Sequence, residues 1–497
     1  YTTKILTYEN KTFTLLSLSL MFLCAGTLKT YGQEEKKYSL IYTADGSIDV
    51  QAFTVCTTKP GTVVKVEFPD GQVAEATSSD EESMTKFAHK IVDTPKPWTI
   101  KITTEGVQSF ATSLTGITSI DLSACPEIKR LTVPNGKLES LNLKGLTNLE
   151  QLFVFGNEKI KTLDVSDLKN LIFLNISNNP DLKLIGIENC TKLQNLVAYN
   201  SSLSNPDVSK FKDLQYLDLT NTKTSAIDLT NNTALTQLEL TDNQLTKVDI
   251  TMLENLQVLK IARNQLKELN LSKNKELTEI DLSENQLSEM KIASEKVTSL
   301  DCNKNNLRLS QLPPKGSMST YIYWPQNPFP IQKTVEVNKV LDLSAETKAT
   351  DPYGKVKDTY FYILKKDKSM LEEGTDYKNE DGKFTFLKTF DQPLRFKLTN
   401  TAFPKLKDKY VMYSDWFDVV VAEGIDNVNQ SSDFKIKQST GTIEVSGLNP
   451  NSMVSIYGID GACKTHQTAK NGYAAFTLPN GLYIVKVNNK TAKVIVQ

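Results

Sequence analysis

A pattern of apolar residues recurs every 20 to 22 residues between Val107 and Leu307 of this 497-residue chain. Each unit follows the order L-x-x-L-x-L-x-x-N-x-L, with other aliphatic residues at some leucine positions, and ends in a second short apolar step. Because no single unit can bury its own apolar side chains, this period predicts stacked units that share one core. The ten units start at Val107, Ile128, Leu149, Leu171, Leu193, Leu214, Leu235, Leu256, Leu277 and Val297.

The residue order and period resemble the leucine-rich repeat. Within each L-x-L step, alternation along a short strand points the leucines inward and the residue between them outward. The second apolar step indicates an extended or 3₁₀ convex side, because a unit of about 21 residues has little room for a full helix. We therefore predict a mostly β fold, a leucine-rich-repeat solenoid of about ten repeats of about 21 residues.

An asparagine stands eight places after most unit starts, where its side chain can bond the backbone of the turn that follows the strand. The position holds Asn157, Asn179, Asn243, Asn264, Asn285 and Asn305, and it is replaced by Thr115, Gly136, Ser201 and Thr222 in the other units.

Composition excludes several classes of function. The formal net charge is −1 with 23% charged residues, so nothing suggests electrostatic binding to nucleic acid or to an anionic membrane. The chain has two histidines, His89 and His466, and it lacks H-E-x-x-H, paired C-x-x-C and phosphate-binding glycine motifs. We therefore predict neither a nucleophilic hydrolase nor a zinc enzyme, and no cofactor.

The six cysteines are scattered rather than densely spaced. Cys302 takes an inward position of an L-x-L step, and Cys125 and Cys190 stand where sister units carry leucine or phenylalanine. At a strand spacing of ~4.8 Å, the three repeats between Cys125 and Cys190 span roughly 15 Å, too far for a disulfide. These three cysteines are therefore expected to be buried small hydrophobes.

Six segments are predicted along the chain. Residues 1–32 form a secretory signal peptide with the apolar run Phe13 to Ala25. A β-rich cap domain (33–106) precedes the solenoid (107–317), because the open end of a solenoid needs a cover. An immunoglobulin-like β domain (318–422), a linker (423–433) and a C-terminal strand meander (434–497) follow. No window approaches the ~20 apolar residues of a membrane span.

Strand and turn signals support these flanking domains. In the cap, Thr62 to Phe68 and the alternating Trp98, Ile100 and Ile102 predict strands. The immunoglobulin-like region carries about seven strand-like runs, which include Val335 to Val340 and the alternation of Phe384 and Phe386. In the last segment the turn signals are Asp460-Gly461, Asn471-Gly472, Asn480-Gly481 and Asn488-Asn489.

Two family resemblances follow from these motifs. The repeats with their flanking domains resemble internalin-like surface proteins of bacteria, over about residues 38–421. The stretches Val454 to Gly458, Leu478 to Val487 and Lys493 to Val496 resemble the C-terminal sorting domain of type IX secretion cargo. That resemblance implies a β-sandwich, the type IX secretion machinery as a partner, and a place outside a Gram-negative cell, anchored or released.

Five aromatic residues at outward strand positions are predicted to crowd one zone of the concave face. They are Phe153, Phe155, Phe173, Tyr199 and Tyr216. Exposed aromatic patches usually mark an interaction site, whereas the structural alternative is that they cover neighbouring side chains or meet a flanking domain.

A mixed charged ladder from Asp218 to Asp301 lies beside these aromatics. Asp218 and Glu239 occupy equivalent places on adjacent strands, near the ~5 Å carboxylate separation of retaining glycosidases, and Asp281 and Asp301 could share a Ca²⁺. Lys260 offers simple charge balance instead, which favours a solvated ion network.

The leading hypothesis is a non-enzymatic adhesion protein of the cell surface. It would bind a protein or glycan on host or neighbouring cells through the residues Phe153, Phe155, Phe173, Tyr199, Tyr216, Asp218 and Glu239. The resemblance implies roles in attachment and biofilm. A structural surface component that associates with its own copies is the alternative, and a carboxylate-based glycosidase is the remote one.

Overall fold

A computed structural model describes residues 39–79, 84–113, 116–351, 354–406, 411–421, 434–439, 441–459, 461–488 and 490–496. The predicted signal peptide, the predicted linker, Thr115, Asp460 and Asn489 lie outside the described residues. The chain divides into two compact units. One holds the described residues up to 330 with 348–360 and 398–413, and the other holds 331–347, 361–397 and those from 414 onward. Among the described residues, no helix is long and apolar enough to cross a membrane.

The cap is a two-layered β structure, as the alternation of its apolar residues predicts. One antiparallel sheet has the strand order β4-β3-β6-β1-β8, and β2, β5 and β7 belong to the second sheet. The strands are β1 Leu40–Ala44, β2 Val50–Thr57, β3 Val63–Glu67, β4 Val73–Thr77, β5 Thr85–Lys90, β6 Trp98–Thr103, β7 Val107–Thr112 and β8 Ile117–Asp121.

The core of the cap continues into the core of the solenoid. Phe110 stands at the first inward leucine position of the first repeat and is fully buried. Its ring centroid lies 5.9 Å from that of Tyr42 and 5.9 Å from that of Phe53. Because β7 pairs antiparallel with β2 and parallel with β9 (Arg130–Thr132), one sheet runs from the cap into the repeats. The cap therefore covers the open N-terminal end, as predicted.

The repeats form a β-solenoid with one long sheet and short elements elsewhere. Its elements after β9 are β10 Gln151–Phe153, β11 Thr162–Asp164, β12 Phe173–Asn175, β13 Lys183–Ile185, η1 Ile187–Asn189, β14 Asn195–Val197, β15 Tyr216–Asp218, β16 Gln237–Glu239, β17 Val258–Lys260, β18 Asn270–Leu271, β19 Glu279–Asp281, β20 Lys291–Ile292, β21 Ser299–Asp301, η2 Leu309–Gln311 and β22 Thr320–Ile322.

Eleven strands of the long sheet run parallel, and we number them as rungs one to eleven from the cap. They are β7, β9, β10, β12, β14, β15, β16, β17, β19, β21 and β22. The other side of the solenoid carries the short parallel pairs β11–β13 and β18–β20 and the 3₁₀ turn η1. The predicted fold class, a mostly β solenoid with irregular or 3₁₀ convex segments and further β domains, is confirmed.

Rung eleven lies beyond the ten units read from the sequence. Tyr321 and Tyr323 occupy its two inward positions and are buried. Gln326 stands at the asparagine position and donates through Nε2 to the carbonyls of Cys302 (2.9 Å) and Tyr323 (2.7 Å). The pattern was hidden because tyrosine replaces leucine and glutamine replaces asparagine. Phe403 packs on Tyr323 with ring centroids 5.3 Å apart and helps to close this end.

The asparagines of the repeat form a buried ladder between successive rungs. Asn264 donates through Nδ2 to the carbonyls of Leu240 (2.9 Å) and Ile261 (3.1 Å), and its Oδ1 accepts from the Leu245 amide (2.9 Å). The same side chain therefore serves its own rung and the preceding one. Ser201 and Thr222 break the ladder at rungs five and six, because each hydroxyl donates to the carbonyl three residues earlier in its own rung.

The cysteines of the repeats lie where the register predicts. Cys125, Cys190 and Cys302 are at most 1% exposed and unpaired. Burial raises the pKa of the Cys125 and Cys190 thiols to about 12. The prediction that these residues act as small core hydrophobes is confirmed.

Residues 331–421 hold nine strands among the described positions, rather than about seven. The prediction of one continuous strand from Val335 to Val340 was wrong, because a turn at Asn338, with φ 62°, separates β23 from β24. Buried Phe396 contacts Phe384 edge to face, with ring centroids 4.8 Å apart, and stacks on Phe417 at 5.6 Å. The elements are β23 Thr334–Glu336, β24 Val340–Asp342, η3 Ser344–Glu346, β25 Lys348–Thr350, β26 Val356–Lys365, β27 Tyr377–Glu380, β28 Lys383–Phe386, β29 Leu394–Asn400, β30 Met412–Tyr413 and β31 Asp418–Val420.

The C-terminal segment is a β-sandwich with a core of its own. Its sheets have the orders β32-β33-β36 and β35-β34-β37-β38 and enclose residues such as Val445, Ile456 and Val485. Asn471 and Gly472 both have positive φ, as the predicted tight turn requires. The strands are β32 Lys435–Ser439, β33 Thr442–Ser446, β34 Met453–Gly458, β35 Cys463–Thr468, β36 Tyr473–Thr477, β37 Gly481–Val487 and β38 Lys490–Val496.

Candidate binding face of the solenoid sheet

The outward side chains of the long sheet form a single surface, which we call the sheet face. Each rung contributes residues two, four and six places after the start of its unit, because alternation sends the leucines between them inward. The parallel register keeps equivalent residues side by side. Asp218 of rung six, for example, pairs with Val197 and with Glu239.

Two of the predicted aromatic residues are in direct contact on this face. The ring centroids of Phe153 (rung three) and Phe173 (rung four) lie 4.7 Å apart, with an interplanar angle of 32°. Both residues are half-buried, so each presents part of its ring to solvent. A tilted aromatic pair at this distance is a favourable contact of its own.

The other three aromatic residues lie on neighbouring rungs. Phe155 and Tyr199 occupy the third outward position of rungs three and five, with Ser177 between them. Tyr199 leans back over rung four, because the Asn178 Nδ2 lies 3.4 Å from its hydroxyl oxygen. Tyr216 stands at the first outward position of rung six, where its hydroxyl is 3.5 Å from Asp218 Oδ2.

Several side chains of this face are buried although they point outward. Asn175, Val197 and Asp218 occupy the central outward position of rungs four to six and are only 5 to 6% exposed. The rungs themselves place no second layer of structure over this face. The burial of these three residues must therefore come from long side chains on neighbouring positions that lie across them. The aromatic residues therefore both cover their neighbours and form the surface.

Asp218 and Glu239, the two predicted acidic site residues, differ in environment. Burial raises the pKa of Asp218, although its Oδ1 accepts a hydrogen bond from the Thr220 amide (2.9 Å). Glu239 is half-buried, and its Oε1 accepts from Gln237 Nε2 (2.5 Å) and lies 3.5 Å from Lys260 Nζ. The carboxylates are thus neighbours, and each already has protein partners.

Lys260 links acids on both sides of its rung. Its Nζ lies 3.5 Å from Glu239 and 3.7 Å from Glu279. Farther along, burial raises the pKa of Asp301, and the nearby Asp281 carboxylate adds to the effect. Asp281 accepts hydrogen bonds from both the amide (3.0 Å) and the hydroxyl (2.7 Å) of Ser283. Within the part of the chain that the structure describes, no three His, Cys, Asp or Glu residues converge as a metal site.

A second ladder, missed in the sequence, follows one edge of the sheet face, and we call it the rim. It holds the residue seven places after each unit start, which has positive φ in rungs two to ten. Its members are Asn135, Gly156, Asn178, Asn200, Asn221, Asp242, Arg263, Glu284 and Lys304. The signal was available, since asparagine and glycine are the residues that adopt this conformation most readily.

The rim changes character along the solenoid. Asn200 Nδ2 donates to Asn178 Oδ1 (2.9 Å), and Asn221 Nδ2 donates to Asn200 Oδ1 (2.8 Å). Beyond them the amides give way to ion pairs, in which Arg263 Nη2 lies 2.7 Å from Asp242 Oδ2 and Lys304 lies 3.1 Å from Glu284.

The sheet face and rim accordingly divide into two halves. Rungs three to five, the aromatic half, carry no charged residue at these positions. Rungs six to ten, the charged half, carry seven carboxylates and three cations there, a formal charge of −4. The charged members are Asp218, Glu239, Asp242, Glu279, Asp281, Glu284, Asp301, Lys260, Arg263 and Lys304.

Two buried polar atoms of the aromatic half lack a hydrogen-bond partner among the described residues. They are the hydroxyl oxygen of Ser177 and the side-chain carbonyl oxygen of Asn195. Neither residue stood out in the sequence, because serine and asparagine at outward positions are ordinary. Only the burial of these two oxygen atoms makes the residues notable.

Comparisons with known proteins found similarity to solved structures but not to a family or to a curated sequence. No protein-family model matches the chain, and no curated protein matches its sequence. Among solved structures, the functional domain of InlJ from Listeria monocytogenes, described as including a cysteine ladder, is similar over 61% of this chain and 74% of that one. The identity is 18% and the TM-score is 0.38. The assignment of the solenoid rests on its own repeat and its eleven parallel rungs.

Proposed function

We propose that this protein is a non-enzymatic adhesion protein that binds a protein or glycan of host or neighbouring cells through its sheet face. The binding residues are Phe153, Phe155, Phe173, Tyr199 and Tyr216, with Asp218 and Glu239 at the border of the charged half. Attachment and biofilm formation are the roles that such binding would serve.

The contact between Phe153 and Phe173 is the observation that carries this proposal. The two half-buried rings, 4.7 Å apart, lie beside the outward amide and hydroxyl side chains of Gln151, Asn175, Ser177 and Asn195. Aromatic residues that stay partly exposed on an otherwise polar face are typical anchors of binding interfaces. If these rings served packing alone, replacing them would leave ligand binding unchanged.

Catalysis is a weaker explanation of the same face. A retaining glycosidase needs one carboxylate free to act as nucleophile and another to act as acid. Glu239 is instead held by Gln237 and Lys260, and Asp218 is 5% exposed. These partners favour a structural ion network over a reaction centre.

The proposed cellular location is the outer surface of a Gram-negative bacterium. The apolar run Phe13 to Ala25 supports export across the inner membrane, and the C-terminal motifs support passage through the type IX secretion machinery. Detection of the protein on intact cells, and its loss from the surface when residues 434–497 are deleted from the gene, would test this location.

Binding can be tested with the full chain in surface plasmon resonance against immobilised matrix proteins, an oligosaccharide array and fixed cells. The triple variant Phe153→Ala, Phe173→Ala, Tyr216→Ala should lose binding to whichever partner the wild type retains. Met252→Ala is the control, because Met252 is an apolar residue of the same solenoid that is 52% exposed and lies off the sheet face. Unchanged binding by a folded triple variant would refute the proposal.

Self-association is the competing function, in which the chain is a structural surface component. Light scattering across protein concentration separates the two. A constant monomer mass supports adhesion to a foreign partner, whereas a mass that rises with concentration and falls in the triple variant would assign the aromatic residues to contacts between copies.

A further inference from the structure

We infer that the aromatic half of the sheet face takes a neutral saccharide, with Ser177 and Asn195 as its polar contacts. This inference rests on the proposed function and names the ligand class for the same face. The inference is based on two buried polar atoms that lie among the five aromatic residues and have no hydrogen-bond partner within the described part of the chain, which we call orphaned atoms.

The first orphaned atom is the Ser177 hydroxyl. Ser177 occupies the third outward position of rung four and is 0% exposed. Backbone hydrogen bonds from Gly156 to Ser177 (2.9 Å) and from Asn178 to Tyr199 (2.9 Å) carry the sheet register through this position. Phe155 and Tyr199 are therefore its lateral neighbours, and the contact of Tyr199 with Asn178 places the tyrosine ring over rung four.

The second orphaned atom is the Asn195 side-chain oxygen, which sits in the same kind of setting. Asn195 pairs with Phe173 on one side and with Tyr216 on the other. The first and third outward columns, on either side of the central one, thus repeat one order, an aromatic residue, a polar residue and an aromatic residue. Buried polar atoms normally have partners, so two orphans within one surface patch call for a ligand group that supplies them.

The chemistry of the patch selects a saccharide. A sugar presents hydroxyls that both donate and accept, which matches a serine hydroxyl and an asparagine amide. Its C–H faces pack on aromatic rings such as Phe153 and Phe173. The absence of charged residues at outward and rim positions of rungs three to five offers nothing to a carboxylate or sulfate, so the saccharide is neutral.

Rotation of the covering rings gives the ligand access. Both polar atoms are buried in the ligand-free protein, and the Tyr199 hydroxyl lies 3.4 Å from Asn178 Nδ2 of rung four. Long side chains on a sheet face change rotamer readily because no second layer confines them. The sugar hydroxyls then satisfy atoms that the free protein leaves unpaired.

The test uses Ser177→Ala and Asn195→Ala in the full chain, with neutral and acidic oligosaccharides titrated by calorimetry. Each variant should weaken binding of the best neutral oligosaccharide about tenfold, the effect of one lost hydrogen bond in a buried site. The melting temperature of Ser177→Ala should stay the same or rise, since the hydroxyl has no partner to lose. Thr241→Ala, at the equivalent outward position of rung seven, is the matched control and should bind as wild type.

The outcomes separate this inference from the proposed function. A protein ligand whose binding falls in the Phe153→Ala, Phe173→Ala, Tyr216→Ala variant, but not in Ser177→Ala or Asn195→Ala, would overturn the saccharide and leave the sheet face as the binding site. Preferred binding of an acidic oligosaccharide would also overturn it. If neither set of variants changes any binding, both proposals fail.

Discussion

The aromatic half and the charged half of the sheet face share one internal frame, which consists of the buried apolar side chains and the asparagine ladder. They differ in nearly every residue that points outward. Beneath both, buried apolar side chains fill the inward positions and asparagines join successive rungs. Above rungs three to five lie rings, amides and hydroxyls, and above rungs six to ten lie ion pairs. The repeat therefore fixes the register, while the outward positions are free to carry different chemistry.

The boundary between the halves coincides with the break in the asparagine ladder. Rungs five and six carry Ser201 and Thr222, whose hydroxyls donate to a carbonyl of their own rung, whereas the asparagines also donate to the preceding rung. The rim changes one rung later, from the amide of Asn221 to the Asp242–Arg263 ion pair. Surface chemistry and internal connectivity therefore change within two rungs of each other.

The largest predicted effect tests whether the frame is common to both halves. Asn179→Ala in the aromatic half and Asn264→Ala in the charged half should each lower the free energy of unfolding by about 3 kcal/mol, because each removes buried hydrogen bonds and strands backbone partners. Urea unfolding of the full chain measures both. The control Asn255→Ala, which removes an exposed asparagine, should stay within about 0.5 kcal/mol of wild type. A much smaller loss for Asn179→Ala would mean that the halves do not share one frame.

The sequence predicted this frame well, because it is specified by side chains whose environment is the same in every rung. Leu217 and Leu238, for example, are buried identically. It also predicted which aromatic residues face outward. It missed rung eleven, where Tyr321 and Gln326 stand in for leucine and asparagine. It also missed the burial of Asp218, of Ser177 and of the Asn195 side-chain oxygen, since burial at an outward position depends on how neighbouring side chains lie, which no period encodes.

A second prediction concerns Asp218, at the border between the halves. Its folded pKa is raised by burial, so the charged form is disfavoured in the folded protein. The protonated Asp218 side chain therefore contributes to the free energy of unfolding at pH values below the pKa that Asp218 has in the unfolded chain. This contribution is lost as pH rises through the pKa of Asp218 in the folded protein. Asp218→Asn should therefore melt at a higher temperature than wild type at pH 7, and the difference should shrink as pH falls toward 4. Calorimetric melting across pH checks this, and a lower melting temperature at pH 7 would contradict it.

A smaller and opposite effect is predicted for the charged rim. The hydrogen bond from Arg263 lowers the pKa of Asp242 in the folded protein. The pair therefore contributes to the free energy of unfolding above the pKa that Asp242 has in the unfolded chain, and this contribution is lost as pH falls through its pKa in the folded protein. Both side chains are more than a third exposed, so solvent screens the pair. Arg263→Ala should cost at most about 0.5 kcal/mol, and less at high salt. A large loss that is insensitive to salt would show that the rim is a structural element rather than a solvated one.

Matched double variants, one from each half, test directly whether the aromatic half binds the partner that the wild-type chain retains. Phe153→Ala with Phe173→Ala should weaken binding by about a hundredfold, since anchors of this kind contribute about 1.4 kcal/mol each. Glu284→Ala with Lys304→Ala, which removes a partly exposed ion pair of the charged half, should stay within about threefold of wild type. Equal losses, or a loss confined to the charged-half variant, would contradict the assignment of binding to the aromatic half.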